Sequence, residues 1–276
     1  MAEYLRPQRL EDAIQALARP LTVLAGGTDF YPGRVGRVID EDVLDITAIP
    51  ALRGVSEDDA GWRIGATTSW SELIEASLPP LFDGLKQAAR EIGGRQIQNT
   101  GTIAGNLCNA SPAADGAPCL LALDAELEIT GPVGARRLPL ADFLLGVRRT
   151  ALLPGELVTA LHVKRSMHPA RSAFVKLGAR RYLVISIAMA AGVIEERDGR
   201  VAAARIAVGA CSPVARRLPA LEVALVGAPL DRQLGERLDP AHLAPLAPID
   251  DIRGSAGYRS DIVATLLRRL LDGFAS

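Results

Sequence analysis

The amino-acid sequence predicts an α+β fold in which runs of strands are followed by helices. Short apolar runs alternate with amphipathic segments in the first part of the chain, and four successive strand-like runs precede the closing helices. The 276 residues suffice for two or three modest domains. A composition of 49% hydrophobic and 23% charged residues is typical of globular proteins.

Hydrophobic periodicity and turn residues define the predicted elements. Leu10, Ile14 and Leu17 recur at helical spacing, and Pro20 ends that helix. In order, we predict a helix within residues 1–20, buried strands over 21–25 and 43–46, a strand over 62–66, helices over 70–76, 81–92 and 119–123, strands over 125–130, 157–163, 172–177, 185–195 and 201–210, and helices over 214–226 and 258–271. Asp198-Gly199 predicts a hairpin between the last two strands.

Composition excludes several classes of function. The net charge of −1, without a dense basic run, argues against nucleic acid and anionic membranes. The cysteines, Cys108, Cys119 and Cys211, are too few for a [2Fe–2S] cluster and too scattered for a disulfide framework. We therefore expect no metal in this chain. Without a signal core or a long apolar run, it is expected to be soluble and cytoplasmic.

Two glycine segments are candidate binding loops. The first, residues 25–29, reads Ala-Gly-Gly-Thr-Asp directly after a predicted strand. Turn amides can bind an anion there, and a branched side chain at Gly27 is expected to fill the space where a phosphate approaches. The alternative is a simple tight turn. The segment lacks the spacing of a dinucleotide-binding fingerprint or a P-loop.

The second segment, residues 99–118, is too polar for a core helix and is predicted to be a long loop. It brings glycines, amides, hydroxyls and the carboxylate of Asp115 into a short stretch, which suits phosphates and sugar hydroxyls. The alternative is a polar loop that satisfies its own hydrogen bonds.

Together the two segments resemble the FAD-binding medium subunit of the xanthine dehydrogenase and carbon monoxide dehydrogenase family. The family motifs are close to A-G-G-T-D and to R-N-x-G-T-I-G-G-N followed by A-S-P-A-A-D. The matching stretches are 25–29, 98–106 and 110–115, and the similarity continues at 148–152, 154–157, 172–178, 251–253 and 258–259. It therefore covers nearly the whole chain in the family's order. One departure is Ala104, where the family usually has glycine.

The resemblance implies a two-part FAD-binding domain of the PCMH type, similar to vanillyl-alcohol oxidase, followed by a smaller α+β domain with an antiparallel sheet. The implied divisions are an N-terminal FAD-binding subdomain at 1–55, a second at 56–167 and a C-terminal domain at 168–276. The implied FAD-binding residues are Val23, Leu24, Ala25, Gly26, Gly27, Thr28, Asp29, Phe30, Thr102, Ile103, Ala104, Gly105, Asn106, Asp115, Leu157 and Lys176.

The resemblance also implies an electron-transfer role. FAD would be held non-covalently, because no histidine lies near either segment. Electrons would come from [2Fe–2S] clusters on a small subunit, a large subunit would hold the molybdopterin, and the complex would be a dimer of heterotrimers. No catalytic residue or bound metal is expected in this chain, and the organic substrate and final acceptor stay open.

The sequence leaves open two alternative functions and the roles of two residues. The chain could instead be a self-contained FAD-dependent oxidase or reductase of the same broad fold, or a scaffold subunit that has lost its cofactor. Cys108 is expected to be a small packing residue, with a redox role as the alternative. Tyr182 is a candidate for packing on the flavin ring, with core packing or an interface contact as alternatives.

Overall fold

A computed structural model gives the structure of residues 2–180 and 183–275. Its strands are β1 (Tyr4–Leu5), β2 (Thr22–Leu24), β3 (Val43–Asp45), β4 (Val55–Glu57), β5 (Gly61–Gly65), β6 (Glu126–Gly131), β7 (Gly134–Pro139), β8 (Leu144–Gly146), β9 (Arg149–Thr150), β10 (Leu157–Lys164), β11 (Ala170–Leu177), β12 (Ala188–Arg197), β13 (Arg200–Gly209) and β14 (Arg216–Arg217). Its α-helices are α1 (Leu10–Ala16), α2 (Trp70–Glu75), α3 (Asp83–Glu91), α4 (Arg95–Thr100), α5 (Ile103–Cys108), α6 (Gly116–Ala122), α7 (Leu140–Phe143), α8 (Pro219–Leu225) and α9 (Ala256–Asp272).

The strands form three main sheets that follow one another along the chain. The first is parallel, in the order β1-β3-β2, and the second is antiparallel, in the order β4-β5-β10-β6-β7. The third is antiparallel, in the order β11-β12-β13-β14. The mixture of helices with antiparallel sheets confirms the predicted α+β class. The strand predicted at 157–163 joins the middle of the second sheet rather than the strands that follow it.

The third sheet is buried on both faces. Helices α8 and α9 cover one face through a cluster that includes Ile206 and Leu267, and α3 and α6 contribute to the cluster on the other face. Burial on both sides explains why β12 reads as an almost continuous apolar run. The hairpin predicted at Asp198-Gly199 is present, and both residues have the positive φ that a tight two-residue hairpin requires (53° and 70°).

The prediction for residues 99–118 was wrong in part, because this segment is not one long loop. Helix α4 ends at Thr100, α5 occupies 103–108, and α6 begins at Gly116. Thr102 caps α5 by accepting a hydrogen bond from the Gly105 amide (3.1 Å). Helix α4 packs against α2 and α5 against β10 of the second sheet, whereas α6 packs against β12 and β13 of the third.

Other boundaries also differ from the predictions. Residues 214–226 were predicted to be one helix, but the chain first forms β14, and α8 begins only at Pro219, a residue favoured in the first helical turn. The short strands β1, β4, β7, β8 and β9 were not predicted. They are two to six residues long, too short for a clear alternation of apolar and polar residues.

A buried arginine fastens α9 to the ends of two strands. Arg259 is 2% exposed; it donates to the carbonyl oxygens of Ile187 and Ala210 (both 2.7 Å) and pairs with Asp251 (2.6 Å). Ala210, in turn, donates its amide to Pro112 in the second glycine segment (2.9 Å). The C-terminal helix is thereby connected to the segment that the sequence singled out.

Within the described residues, no helix is long and apolar enough to cross a bilayer. The same part of the chain shows no group of three or more acidic, histidine or cysteine side chains arranged to hold a metal ion.

Candidate functional site

The two glycine segments line one cavity of about 480 Å³, a volume within the range of small-molecule and cofactor sites. The cavity lies where β2 ends, against α4 and α5 and the link from β9 to β10. The predicted site residues that line it are Val23, Leu24, Ala25, Gly26, Gly27, Thr28, Asp29, Phe30, Thr102, Ala104, Gly105, Asn106 and Leu157. Segments far apart in sequence therefore meet at one site.

The cavity also has lining residues that the sequence did not single out as site residues. They are Thr22, Arg34, Ile46, Ala66, Trp70, Ile92, Ile97, Gly101, Cys108, Asn109, Leu152, Glu156 and Val158. Leu152 and Glu156 lie in stretches that resemble the family, so the sequence could have identified them as site residues. Trp70, which is 1% exposed, appeared in the sequence only as the start of a helix.

The remaining predicted residues, Ile103, Asp115 and Lys176, do not line this cavity. Ile103 is fully buried in the core on α5. Asp115 and Lys176 form a buried ion pair (2.7 Å), each side chain being 7% exposed. Lys176 also borders a separate groove beside α9.

The carboxylate of Asp115 is occupied by protein partners. One oxygen accepts from Lys176 and the other from the Ser186 hydroxyl (2.5 Å). Burial raises the pKa of Asp115, against the opposing attraction of Lys176. The sequence indicated a loop carboxylate that contacts the cofactor; the structure shows a buried group at the start of α6 that is already bonded within the protein.

The first glycine segment is shaped by its contact with the second. A Cβ atom at Gly26 would lie 1.9 Å from the carbonyl oxygen of Thr100, and it would also collide with the backbone of Gly101. No side chain fits there unless the two segments separate. Gly26 therefore permits the close approach that forms one wall of the cavity.

Gly27 also meets a requirement that the sequence did not reveal. Gly27 has a φ of +69°, and a Cβ atom would meet the ring of Tyr31 at 2.6 Å. The turn and Tyr31 therefore require glycine here, and the space for a phosphate stays a prediction. Ala104 lies inside α5 with ordinary helical geometry, which explains why a methyl group is accommodated there.

An unpaired polar atom lies in the cavity wall. The side-chain oxygen of Asn106 is buried and has no hydrogen-bond partner in the structure. Buried polar atoms without a partner are rare in proteins and call for an explanation such as a bound ligand. This oxygen accepts hydrogen bonds, so its missing partner is a donor.

Charged residues of the lining are paired with protein groups. Arg34 pairs with Glu41, and its guanidinium stacks 3.7 Å from the centre of the Phe30 ring. Glu156 is held by Arg136 through two hydrogen bonds (2.7 and 2.8 Å), which lower the pKa of Glu156. These pairs stiffen the walls on either side of the cavity.

The structure describes one of the two residues whose roles the sequence left open, Cys108 and Tyr182. Cys108 lines the cavity and its side chain is exposed, so it is not the packed small residue that was expected. Tyr182 lies outside the described residues.

Comparison with known proteins identifies the family. The family profile of the FAD binding domain in molybdopterin dehydrogenase matches residues 1–164, and that of the CO dehydrogenase flavoprotein C-terminal domain matches residues 173–273. The chain is 32% identical to the xanthine dehydrogenase FAD-binding subunit of Escherichia coli O157:H7, over 98% of this chain and 95% of that protein. It is 31% identical to the carbon monoxide dehydrogenase medium chain of Afipia carboxidovorans, again over 98% and 95%.

Solved structures agree with this assignment. Reconstituted CO dehydrogenase from Oligotropha carboxidovorans superposes with a TM-score of 0.91 at 30% identity, covering 100% of this chain and 97% of that one. CO dehydrogenase from Hydrogenophaga pseudoflava gives a TM-score of 0.90 at 29% identity, covering 99% and 96%. The chain therefore belongs to the FAD-binding subunits of the xanthine and carbon monoxide dehydrogenase family of molybdenum hydroxylases, whose members are oxidoreductases.

Proposed function

We propose that the cavity between the two glycine segments binds one FAD non-covalently, and that the chain passes electrons from [2Fe–2S] clusters on a partner subunit to an external acceptor such as NAD, oxygen or a quinone. The observation that carries the proposal is the contact at Gly26, where two segments meet so closely that no side chain fits. Such contacts leave backbone amides, rather than side chains, facing a ligand.

The residues present fit FAD on three counts. The turn after β2 carries glycines and the Thr28 hydroxyl, which suit a pyrophosphate. The unpaired Asn106 oxygen needs a donor, and FAD offers hydroxyl and N–H groups. Apolar side chains such as Ile92 and Ile97 line the same cavity and suit an aromatic ring system.

The protein's contribution is positioning and exclusion of water. When bound, FAD supplies the ability to accept electrons one at a time and to release them in pairs. Trp70, buried beneath the cavity, fixes its floor. Asp115 and Lys176 stay proposed cofactor residues. Their side chains contact each other, and Lys176 also approaches the Glu91 carbonyl (3.4 Å), next to the lining residue Ile92.

The wider assembly is also part of the proposal. The partners would be a small subunit with [2Fe–2S] clusters and a large molybdopterin subunit, in a dimer of heterotrimers in the cytoplasm. Within the chain, we keep the proposed division into 1–55, 56–167 and 168–276. The sheets at 4–45 and 170–217 support it, because each falls within one of these ranges, and the sheet at 55–164 falls within the second range except for Val55, its first residue.

Acid precipitation of the purified protein tests the cofactor proposal. Non-covalent binding predicts that one FAD per chain appears in the supernatant. Flavin that stays in the pellet would contradict the non-covalent mode, and a colourless protein that takes up no added FAD would favour the scaffold alternative.

Co-purification tests the partner proposal. A tagged chain expressed with its native neighbours should bring down a cysteine-rich subunit and a large molybdopterin subunit. Adding the organic substrate to that complex should bleach the flavin absorbance. An isolated chain that oxidises the substrate at the full rate would instead favour the self-contained enzyme.

A further inference from the structure

An arginine at the rim of the cavity connects the two glycine segments. The Arg148 guanidinium donates to the Asp29 carboxylate at the end of the first segment (2.9 Å) and to the side-chain oxygen of Asn109 within the second. Asp29 and Asn109 both line the cavity. A single side chain from a third part of the chain thus spans the mouth between them.

The backbone holds Arg148 in an uncommon conformation to reach this position. Its φ is +57°, a region that residues other than glycine seldom occupy. Its amide donates to the carbonyl oxygen of Ala110 (3.0 Å), another non-glycine residue with positive φ (44°). Strained conformations of this kind persist where surrounding contacts enforce them, and they are enriched at functional sites.

We propose that Arg148, through its hydrogen bonds to Asp29 and Asn109, holds the first and second glycine segments together across the cavity mouth and slows the release of FAD. These three residues form what we call the retention strap. The proposal rests on the proposed function, because it requires FAD in this cavity. Arg148 acts through the two segments and is a positioning residue. It takes no part in electron transfer.

The size of the effect follows from the exposure of the ion pair. The side chains of Arg148 and Asp29 are 57% and 61% exposed. Exposed pairs contribute little, and salt screens them, so losing the strap should speed FAD release by about three- to fivefold at low salt. The same exposure allows the pair to open transiently when FAD enters or leaves.

The test measures the rate at which FAD leaves the holoprotein after dilution, by the rise in flavin fluorescence. Arg148→Ala should release FAD about three- to fivefold faster than the wild type near 0.05 M salt, and the two rates should converge near 1 M salt. Asp29→Asn should also accelerate release, and the double variant should release FAD more slowly than the product of the two single effects predicts. Arg149→Ala is the matched control, because its exposed neighbouring side chain bridges no segments, and it should behave as the wild type.

Three results separate the possibilities. A wild-type release rate for folded Arg148→Ala at low salt would overturn the strap while leaving FAD binding intact. Equal acceleration by Arg149→Ala would also overturn it, because the effect would then reflect net charge alone. A wild-type protein that holds no FAD would overturn the proposed function itself.

Discussion

At the scale of single residues, the structure shows contacts that the sequence motifs did not reveal. Gly26 leaves room for the Thr100 backbone, and Gly27 satisfies a turn. Asp115, predicted to contact the cofactor, is also a buried partner of Lys176. Such roles depend on contacts between residues distant in sequence, which a linear motif does not contain.

The buried pair predicts a stability effect for Asp115. Asp115→Ala would leave the Lys176 ammonium buried without its partner, so unfolding in urea should show a loss of about 3–5 kcal/mol. The double variant Asp115→Ala/Lys176→Met should recover most of it. Asp59→Ala, in an exposed turn, is the control and should change stability by less than about 0.5 kcal/mol. A stable Asp115→Ala variant that merely binds FAD more weakly would favour the original sequence-based interpretation.

A second residue-scale prediction concerns pH. Burial alone would raise the pKa of Glu128, but hydrogen bonds from His162, Thr159 and Arg63 outweigh it and hold the pKa at about 2. Because this pKa is below the unfolded value, Glu128 stabilises the fold above about pH 4.5, and this contribution is lost as the pH falls toward 2.

Unfolding curves between pH 6 and about 3 test it. Glu128→Gln should lose less stability over this range than the wild type. The control is Glu126→Gln, on the same strand, whose partner Lys164 is 71% exposed; this substitution should alter the pH dependence less. Identical pH dependence in the wild type and Glu128→Gln would contradict the assignment.

At the scale of elements, long periodic segments were predictable and short ones were not. The helix at 258–271 and the strands at 172–177 and 201–210 carry enough apolar repeats to reveal their type, and the structure contains all of them. Helix α5 was missed because it has only six residues, which include the poor helix formers Gly105 and Asn106, and its stability comes from the Thr102 cap and from packing.

Alanine should change stability in opposite directions at two glycines, one in the hairpin between β12 and β13 and one in α9. Gly199 has a φ of +70°, so Gly199→Ala should destabilise the protein by about 1 kcal/mol. Gly257 lies exposed in α9 with nothing near a Cβ atom, so Gly257→Ala should stabilise it by up to about 0.5–1 kcal/mol. Thermal unfolding of both variants checks this. The same sign for both changes would contradict the turn geometry.

At the scale of the whole molecule, one hydrophobic core crosses the boundary between the two family domains. It contains Trp62 and Trp70 from the first domain together with Phe174, Met189 and Val193 from the second. Through its resemblance to the family, the sequence indicated separate units, 56–167 and 168–276. It could not reveal that they share a core, since packing partners are set by the tertiary fold. Tyr182 stays an open prediction.

A shared core predicts cooperative unfolding. Both tryptophans lie in the FAD-binding part, so their fluorescence reports that part, whereas far-ultraviolet circular dichroism reports the whole chain. In urea the two signals should change in one coincident transition. Two separated transitions would show that the domains unfold independently.

FAD titration of two alanine variants tests whether the contact between the glycine segments forms the FAD site. Gly26→Ala places a methyl group against the Thr100 carbonyl, whereas Gly33→Ala adds one where no atom lies within 4 Å. With both variants folded, Gly26→Ala should bind FAD at least about tenfold more weakly, equivalent to about 1.4 kcal/mol, and Gly33→Ala should bind as the wild type does. Wild-type FAD affinity in a folded Gly26→Ala protein would show that this contact does not form the FAD site.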